Sequence, residues 1–192
     1  KANTYETNKI NLLSNPTSLY SKQPTVYYGL MYLAKNAKKE VKIHTPYIIC
    51  NDYMYNELKN IKVPTTIMTN SAENNGNIFG AVDYLNHKKD IINTGVTIKE
   101  YEGGISYHGK SMTIDDDIAI VGSFNMDMRS AYIDTELMLV INSKDINKQL
   151  KASMEEYEKK AATVKNETEY SHIPEGMKMK ELSDKKKNIK AW

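Results

Sequence analysis

The stretch that constrains this chain most runs from His108 to Glu136, where a His, a Lys, an Asn and a Glu stand in an apolar, strand-like context. Polar groups in such a setting need partners or a task, because desolvating them without compensation is costly. His108 and Lys110 are two residues apart, so on a strand they point to the same face. Met112 and Ile114 continue that face as core, while Gly109, Ser111, Thr113 and Asp115 point the other way. Asp115-Asp116-Asp117 is a turn signal between two apolar runs. Ile118 to Val121 is apolar on both faces, the pattern of a buried strand, and Gly122-Ser123 ends it just before Asn125. Thr135 to Ile141 predicts another buried strand, with Glu136 near its start. A lone carboxylate there must meet a cation or a donor.

These side chains suit a phosphate. A His attacks phosphorus or donates a proton near neutral pH. A Lys offers a compact positive charge to phosphate oxygens, and an Asn amide donates to another. A Glu accepting from a ring N–H would orient the His and raise its pKa. The chemistry calls for no metal or other cofactor, since the cations are side chains. Asp115 sits on the opposite strand face from His108, so its parity makes it a brace of the turn. Ser123 either donates to phosphate or closes the strand end.

The pattern H-x-K-x4-D followed by G-S-x-N resembles the signature of the phospholipase D superfamily, and it falls on His108, Lys110, Asp115, Gly122, Ser123 and Asn125. Glu136 stands where that family carries the acidic partner of its histidine. The segment Asn125 to Ser130 resembles the second motif of cardiolipin synthases and related phosphatidyltransferases. Ile43 to Ile48 is similar to the strand that opens the second half of those enzymes, so the resemblance spans about residues 38–160. It implies a catalytic set of His108, Lys110, Asp115, Asn125 and Glu136, with Lys110, Ser123 and Asn125 binding phosphate. It also implies a phosphohistidine intermediate, resolved by water or an alcohol such as phosphatidylglycerol. Family members build one site from two such motifs, and this chain has one. The resemblance therefore implies a phospholipid substrate and a second motif-bearing half, upstream on the same polypeptide or in a homodimer mate. In the second half the histidine often protonates the leaving group first. Two alternatives accompany this reading: a metal-independent nuclease acting as a single-motif homodimer, and a non-catalytic lipid-binding half-domain.

Composition narrows these. Net charge is +2 over 192 residues, and Arg129 is the only arginine, which speaks against a nucleic-acid partner. No run approaches the ~18 apolar residues of a membrane span. The expected place is a bacterial membrane, reached peripherally or through segments outside this chain. The chain does not begin with Met and is expected to be an excised fragment or a processed product. Cys50 stands alone, which excludes an internal disulfide and a cysteine-rich metal site.

Strand-like and helical segments alternate. The pattern predicts strands at Lys9–Leu13, Val41–Ile49, Val63–Met68 and Val96–Tyr101, and helices at 25–38, 52–60, 80–92 and 145–162. Asn51 is placed to cap the second helix. Asn70 to Gly80 is a polar loop long enough to be functional or mobile. The expected fold is an α/β sandwich, a mixed β-sheet flanked by helices. Residues 1–165 are expected to form a phospholipase D-like half-domain. Residues 166–192 are expected to form a charged tail or helix, either solvated or touching a membrane through Met177, Met179, Leu182 and Trp192. His87-Lys88-Lys89 repeats H-x-K without the rest of the motif and is a decoy. His44 is expected to be a core or sheet-end residue, and Arg129 to meet a lipid phosphate or pair with Asp127 or Asp134.

Overall fold

The computed structural model describes residues 4–18 and 23–190. In chain order its elements are β1 (Lys9–Ser14), α1 (Thr25–Lys35), β2 (Val41–His44), β3 (Ile48–Ile49), α2 (Asp52–Lys59), β4 (Thr65–Asn70), α3 (Ile78–Asn93), β5 (Thr97–Tyr101), β6 (Ser111–Ile114), β7 (Ile118–Gly122), β8 (Met126–Asp127), α4 (Met128–Tyr132), β9 (Leu137–Asn142), α5 (Lys144–Glu158), β10 (Ala161–Val164), β11 (Tyr170–His172) and α6 (Asp184–Lys190). Nine strands form one mixed sheet in the order β1-β9-β7-β6-β2-β4-β5-β10-β11, and β3 with β8 forms a small second sheet. The α/β sandwich expected from the sequence is the fold observed.

Register explains why the two faces of the sheet differ. Ile98, Ile67, Ile43, Met112, Ile120 and Val140 lie opposite one another across six strands and share one face. That face packs into the main core with Tyr27, Leu30 and Met31 of α1. Burying each such side chain contributes roughly 1.5–3 kcal/mol. One residue further along each strand, the row reads Lys99, Met68, His44, Ser111, Val121, Leu139 and Leu12 on the opposite face. Helix α5 packs over the middle of this second face, against β5, β6, β7, β9 and β10. Beyond α5 the row lies open: Leu12 is 63% exposed and Val121 38%. The sequence pattern predicts Ile118–Val121 to be buried on both sides. Both sides are covered at Ala119 and Ile120, and the strand opens to solvent at Val121 and Gly122.

Several boundaries have local causes. Helix α1 stops at Lys35, three residues short of its expected end, because Asn36 turns its side chain back to the Tyr32 carbonyl. The next free N–H groups, those of Lys38, Lys39 and Glu40, are taken by the Asp115 carboxylate. The strand expected over Val41–Ile49 is broken into β2 and β3 at Thr45-Pro46-Tyr47, since Pro46 has no N–H to give a ladder. Asn51 caps α2 as expected, accepting from Met54 N at 2.9 Å. Asn77 caps α3 in the same way and starts it two residues early. Helix α5 ends at Glu158, short of its expected end at 162, and Ala161, expected inside it, is buried in β10 against Tyr101 of β5. Within 166–190 the chain forms β11 and α6, and Trp192 lies outside the described residues.

Candidate active site

His108 lies before the ladder. Strand β6 begins at Ser111, so His108-Gly109-Lys110 is an approach segment, anchored where the Lys110 carbonyl accepts from Gly122 N at 3.3 Å. Lys110 turns its ammonium back to the imidazole, with Nζ 2.9 Å from His108 Nδ1 and 2.8 Å from the His108 carbonyl. The two side chains therefore meet as the spacing predicts, through the chain ahead of the strand instead of the pleat.

Glu136 is buried at the start of β9 and accepts from two hydroxyls. Ser123 donates to one carboxylate oxygen, and Ser130 donates to the other at 2.7 Å. Ser123 also closes the β7–β9 end, taking Leu137 N at 3.0 Å and giving its own N–H to the Leu137 carbonyl at 2.9 Å. Ser130 is a hub. Its hydroxyl accepts from both the backbone N–H and the side-chain Nδ2 of Asn125, each at 3.2 Å. Asn125 thus commits one amide N–H to Ser130 and retains the second for another acceptor. Asp127 caps α4, accepting from Ser130 N at 2.6 Å, and this fixes the hub. Asn15 binds the α4 turn from outside through the Ser130 and Asp134 carbonyls, both at 3.0 Å.

The electrostatics follow from these contacts. Burial first, then Lys110, hold the His108 ring below its ordinary pKa. Burial also lowers Lys110, while Glu136 and Asp127 push its pKa back up. Burial raises Asp127. Two sequence expectations are corrected here: Glu136 is bonded by serines and not by His108, and the His108 pKa is lowered and not raised. The cause is placement. Glu136 is held by two hydroxyls, and its charge acts on the lysine.

The structure brings His108 and Lys110 together, and joins Ser123, Glu136 and Asn125 through Ser130. Asp115 stands apart, at the far end of β6. It takes the left-handed conformation (φ 51°) and accepts from three successive backbone N–H groups at 2.7–3.2 Å. Burial raises its pKa, but those N–H groups hold it below the usual carboxylate range. It is a brace, as its parity predicts. Arg129 pairs with Asp134 at 3.0 Å. In the decoy motif, Lys88 is buried in an ion pair with Glu100 at 2.7 Å. His44 is buried too: Nε2 lies 3.2 Å from Glu158 and Nδ1 3.2 Å from the Tyr107 hydroxyl. Burial lowers its pKa, so the neutral ring donates to Glu158 and accepts from Tyr107. The sequence analysis assigns neither Ser130 nor Asp127 a place in the site. The signal was present, since Asp127-x-x-Ser130 has the spacing of an N-cap carboxylate and its third helical N–H.

A cleft of about 580 Å³ opens beside His108, between residues 103–109 and α5, lined in part by Tyr101, Ile105, Tyr107, Leu150 and Tyr157. Among the described residues no three His, Cys, Asp or Glu side chains gather to hold a metal ion, and no helix is long and apolar enough to cross a membrane.

The His108–Lys110 pair, on which the phospholipase D signature falls, thus stands at the end of a mixed sheet, with an acid and two hydroxyls at the neighbouring strand ends. A family model described as "Cardiolipin synthase, PLD-like domain" matches residues 30–157, and the chain belongs to that family. Cardiolipin synthase 1 of Staphylococcus epidermidis is 30% identical over 159 residues, covering 81% of this chain and 32% of the relative. A cardiolipin synthase of Staphylococcus aureus is 31% identical over 129 residues, covering 66% of this chain and 26% of the relative. The chain thus spans about a third or less of these relatives. Among solved structures, the phospholipase D family member Nuc from Salmonella typhimurium aligns with TM-score 0.64 at 16% identity, over 81% of this chain and 97% of Nuc. Phosphatidylserine synthase of Haemophilus influenzae aligns with TM-score 0.65 at 16% identity, over 85% of this chain and 41% of that one.

Proposed function

We propose that this chain supplies one half of a phosphatidyltransferase site that transfers a phosphatidyl group between alcohols through a phosphohistidine. The observation that carries the reading is the His108–Lys110 pair, held 2.9 Å apart beside an open cleft. The roles follow from the chemistry. The Lys110 ammonium and the spare Asn125 N–H bind phosphate oxygens. The Glu136 charge opposes the burial that lowers the Lys110 pKa, and Ser123 and Ser130 fix Glu136. Two histidines are needed, one to attack phosphorus and one to protonate the departing oxygen. The chain provides His108. Burial and Lys110 hold it neutral here, the form that attacks. Protonation for the donor role requires a further anion near the ring, which the bound phosphate or the completing half brings.

The open apolar row on the β1-β9-β7 corner supports a second body docking next to the site. Leu12, Leu139 and Val121 lie side by side there, and Leu137 follows Glu136 directly. The longer relatives leave room for a second half on the same polypeptide. The 97% coverage of Nuc shows that a unit of this size can make up a whole chain, which favours a second copy as the alternative. A phospholipid substrate places the working protein at a membrane surface.

The test is turnover of phosphatidylglycerol vesicles by the complete protein and by His108→Ala. The variant should lose at least about 1,000-fold in rate while melting like the wild type, since the side chain serves chemistry and not packing. A variant keeping a tenth of the activity would remove His108, and this reading, from the reaction.

A further inference from the structure

We infer that Asn70 is a positioning residue for His108, acting through the backbone of Tyr107. The inference rests on the reading of His108 as the reacting group. That ring stands in a segment with no ladder of its own: residues 106–110 are neither helix nor strand, and Gly103 and Gly104 precede them. A reacting group must nevertheless be held to about half an ångström. Something outside the segment has to supply that order.

Asn70, at the end of β4 and almost fully buried, does so with every polar atom it has. Its Oδ1 accepts from Tyr107 N at 2.7 Å, and its Nδ2 donates to the Tyr107 carbonyl at 2.9 Å. The second Nδ2 hydrogen goes to the Pro46 carbonyl at 2.9 Å. The amide thus stands in for a neighbouring strand at one residue. Tyr107 N–H belongs to the peptide unit before it, and Tyr107 C=O to the unit shared with His108. Holding both fixes φ and ψ of Tyr107 and so the direction in which the chain enters His108. The Tyr107 ring is held from the other side. Its hydroxyl meets His44 Nδ1, and the ring lies edge-on to Tyr157 at 4.8 Å between centroids. His44 is set in turn by Glu158, which Lys99 holds at 2.5 Å.

Stabilising the loop and positioning His108 are different roles for Asn70. Asn74 separates the two. It donates to the Ile105 carbonyl at 3.2 Å and to Asn70 Oδ1, also at 3.2 Å. It lies in the loop that follows β4 and is also buried, but it touches no peptide unit adjoining His108. Loss of loop stability alone would act through the folded fraction and leave the rate per folded molecule unchanged in both. Positioning makes Asn70 distinct.

The experiment compares Asn70→Ala, Asn70→Asp and Asn74→Ala in the complete protein with phosphatidylglycerol vesicles, rates being taken per folded molecule from thermal melts. Asn70→Ala should lower kcat about 100-fold with KM within about twofold, the scale on which small misplacements of reacting groups act. Asn74→Ala should cost less than about fivefold, because Asn70 keeps both bonds to Tyr107 and its bond to Pro46 without it. Asn70→Asp keeps the acceptor for Tyr107 N–H, but can donate to the Tyr107 carbonyl only when protonated. Its kcat should therefore rise as pH falls through the new carboxyl's pKa, a limb absent from the wild type. Equal losses in Asn70→Ala and Asn74→Ala, or an Asn70→Asp profile parallel to wild type, would overturn the inference. If Asn70→Ala does not fold, the Asn70→Asp profile decides alone. If turnover proves independent of His108, the function proposed above fails, and positioning is then judged by NMR. The His108 ring signals should broaden or split in Asn70→Asp at high pH, and an unchanged spectrum refutes the clamp.

Discussion

Replacing Ser130 with Ala should damage this protein far more than a one-atom deletion at most buried sites. The Ser130 hydroxyl is completely buried, donates to Glu136 at 2.7 Å, and accepts from Asn125 N and Nδ2 at 3.2 Å. Alanine leaves a buried carboxylate oxygen without one of its two hydroxyl donors, at about 1.5–3 kcal/mol for a bond to a charged group. It also strands two Asn125 donors, at about 1 kcal/mol or more each if water does not reach them. The sum is about 3–5 kcal/mol. For a chain of this size that is roughly a 6–20 °C fall in Tm, at about 2–4 °C per kcal/mol. Ser123→Ala is the built-in comparison. Ser123 donates to the same carboxylate but is exposed, so water replaces it and the fall should be only about 1–3 °C. Thermal melts of both variants, with turnover per folded molecule, form the assay. Turnover should drop in Ser130→Ala, because Asn125 and Glu136 lose their common anchor. If the two variants melt within a degree or two of each other, the hub is not a hub and the reasoning fails.

Asp115→Ala should lower stability by roughly 2–4 kcal/mol, from three freed backbone N–H groups and a left-handed residue without its compensation, yet leave turnover per folded molecule within about threefold; a hundredfold loss in properly folded variant would make Asp115 part of the chemistry. Acid should destabilise the protein in two stages. His44, its pKa lowered by burial, contributes stability that is present above about pH 6.5 and is lost as pH falls below it. Glu158 is raised by burial but drawn down by His44, Lys99 and Lys42 to a pKa of about 2. Its contribution, about 3 kcal/mol, is present above pH 4.5 and is lost between there and pH 2. In Glu158→Gln the lower stage should shrink in a Tm-against-pH plot, with Asp115 supplying part of what remains, and an unchanged lower stage would remove Glu158 from it.

The motif residues were legible because their spacing is dictated by local chain geometry: a His and a Lys two apart meet whether or not the strand has begun. The brace role of Asp115 was legible for the same reason, since strand parity alone places it away from His108. What sequence could not show is which distant groups share a pocket. Glu136 lies 28 positions from His108, and nothing in the spacing says that Ser130 and Ser123 reach it first. The polar loop after Asn70 looks like a flexible connector in one dimension. Its asparagines acquire their role only because parallel pairing of β4 with β5 sets it against residues 105–107. The break at Pro46 was readable in principle, as proline cannot donate to a ladder. The apolar residues on either side concealed it. The shift from α5 to β10 was concealed in the same way, because Ala161 satisfies a helical stripe and a buried strand equally well.

The antiparallel pairing of β10 with β5 also determines how this domain can be dissected. The family match ends at Tyr157, and a chain cut there would lack Glu158, β10 and β11. Lys99, Glu100 and Tyr101 would lose their ladder partners, leaving β5 as a bare edge open to pairing with any other extended chain. His44 would lose the carboxylate that fixes its tautomer, and Lys99 would lose its counter-ion. Such a shortened piece would retain every motif residue and yet be prone to aggregate, so the unit that can be expressed and handled extends past the family boundary to at least His172.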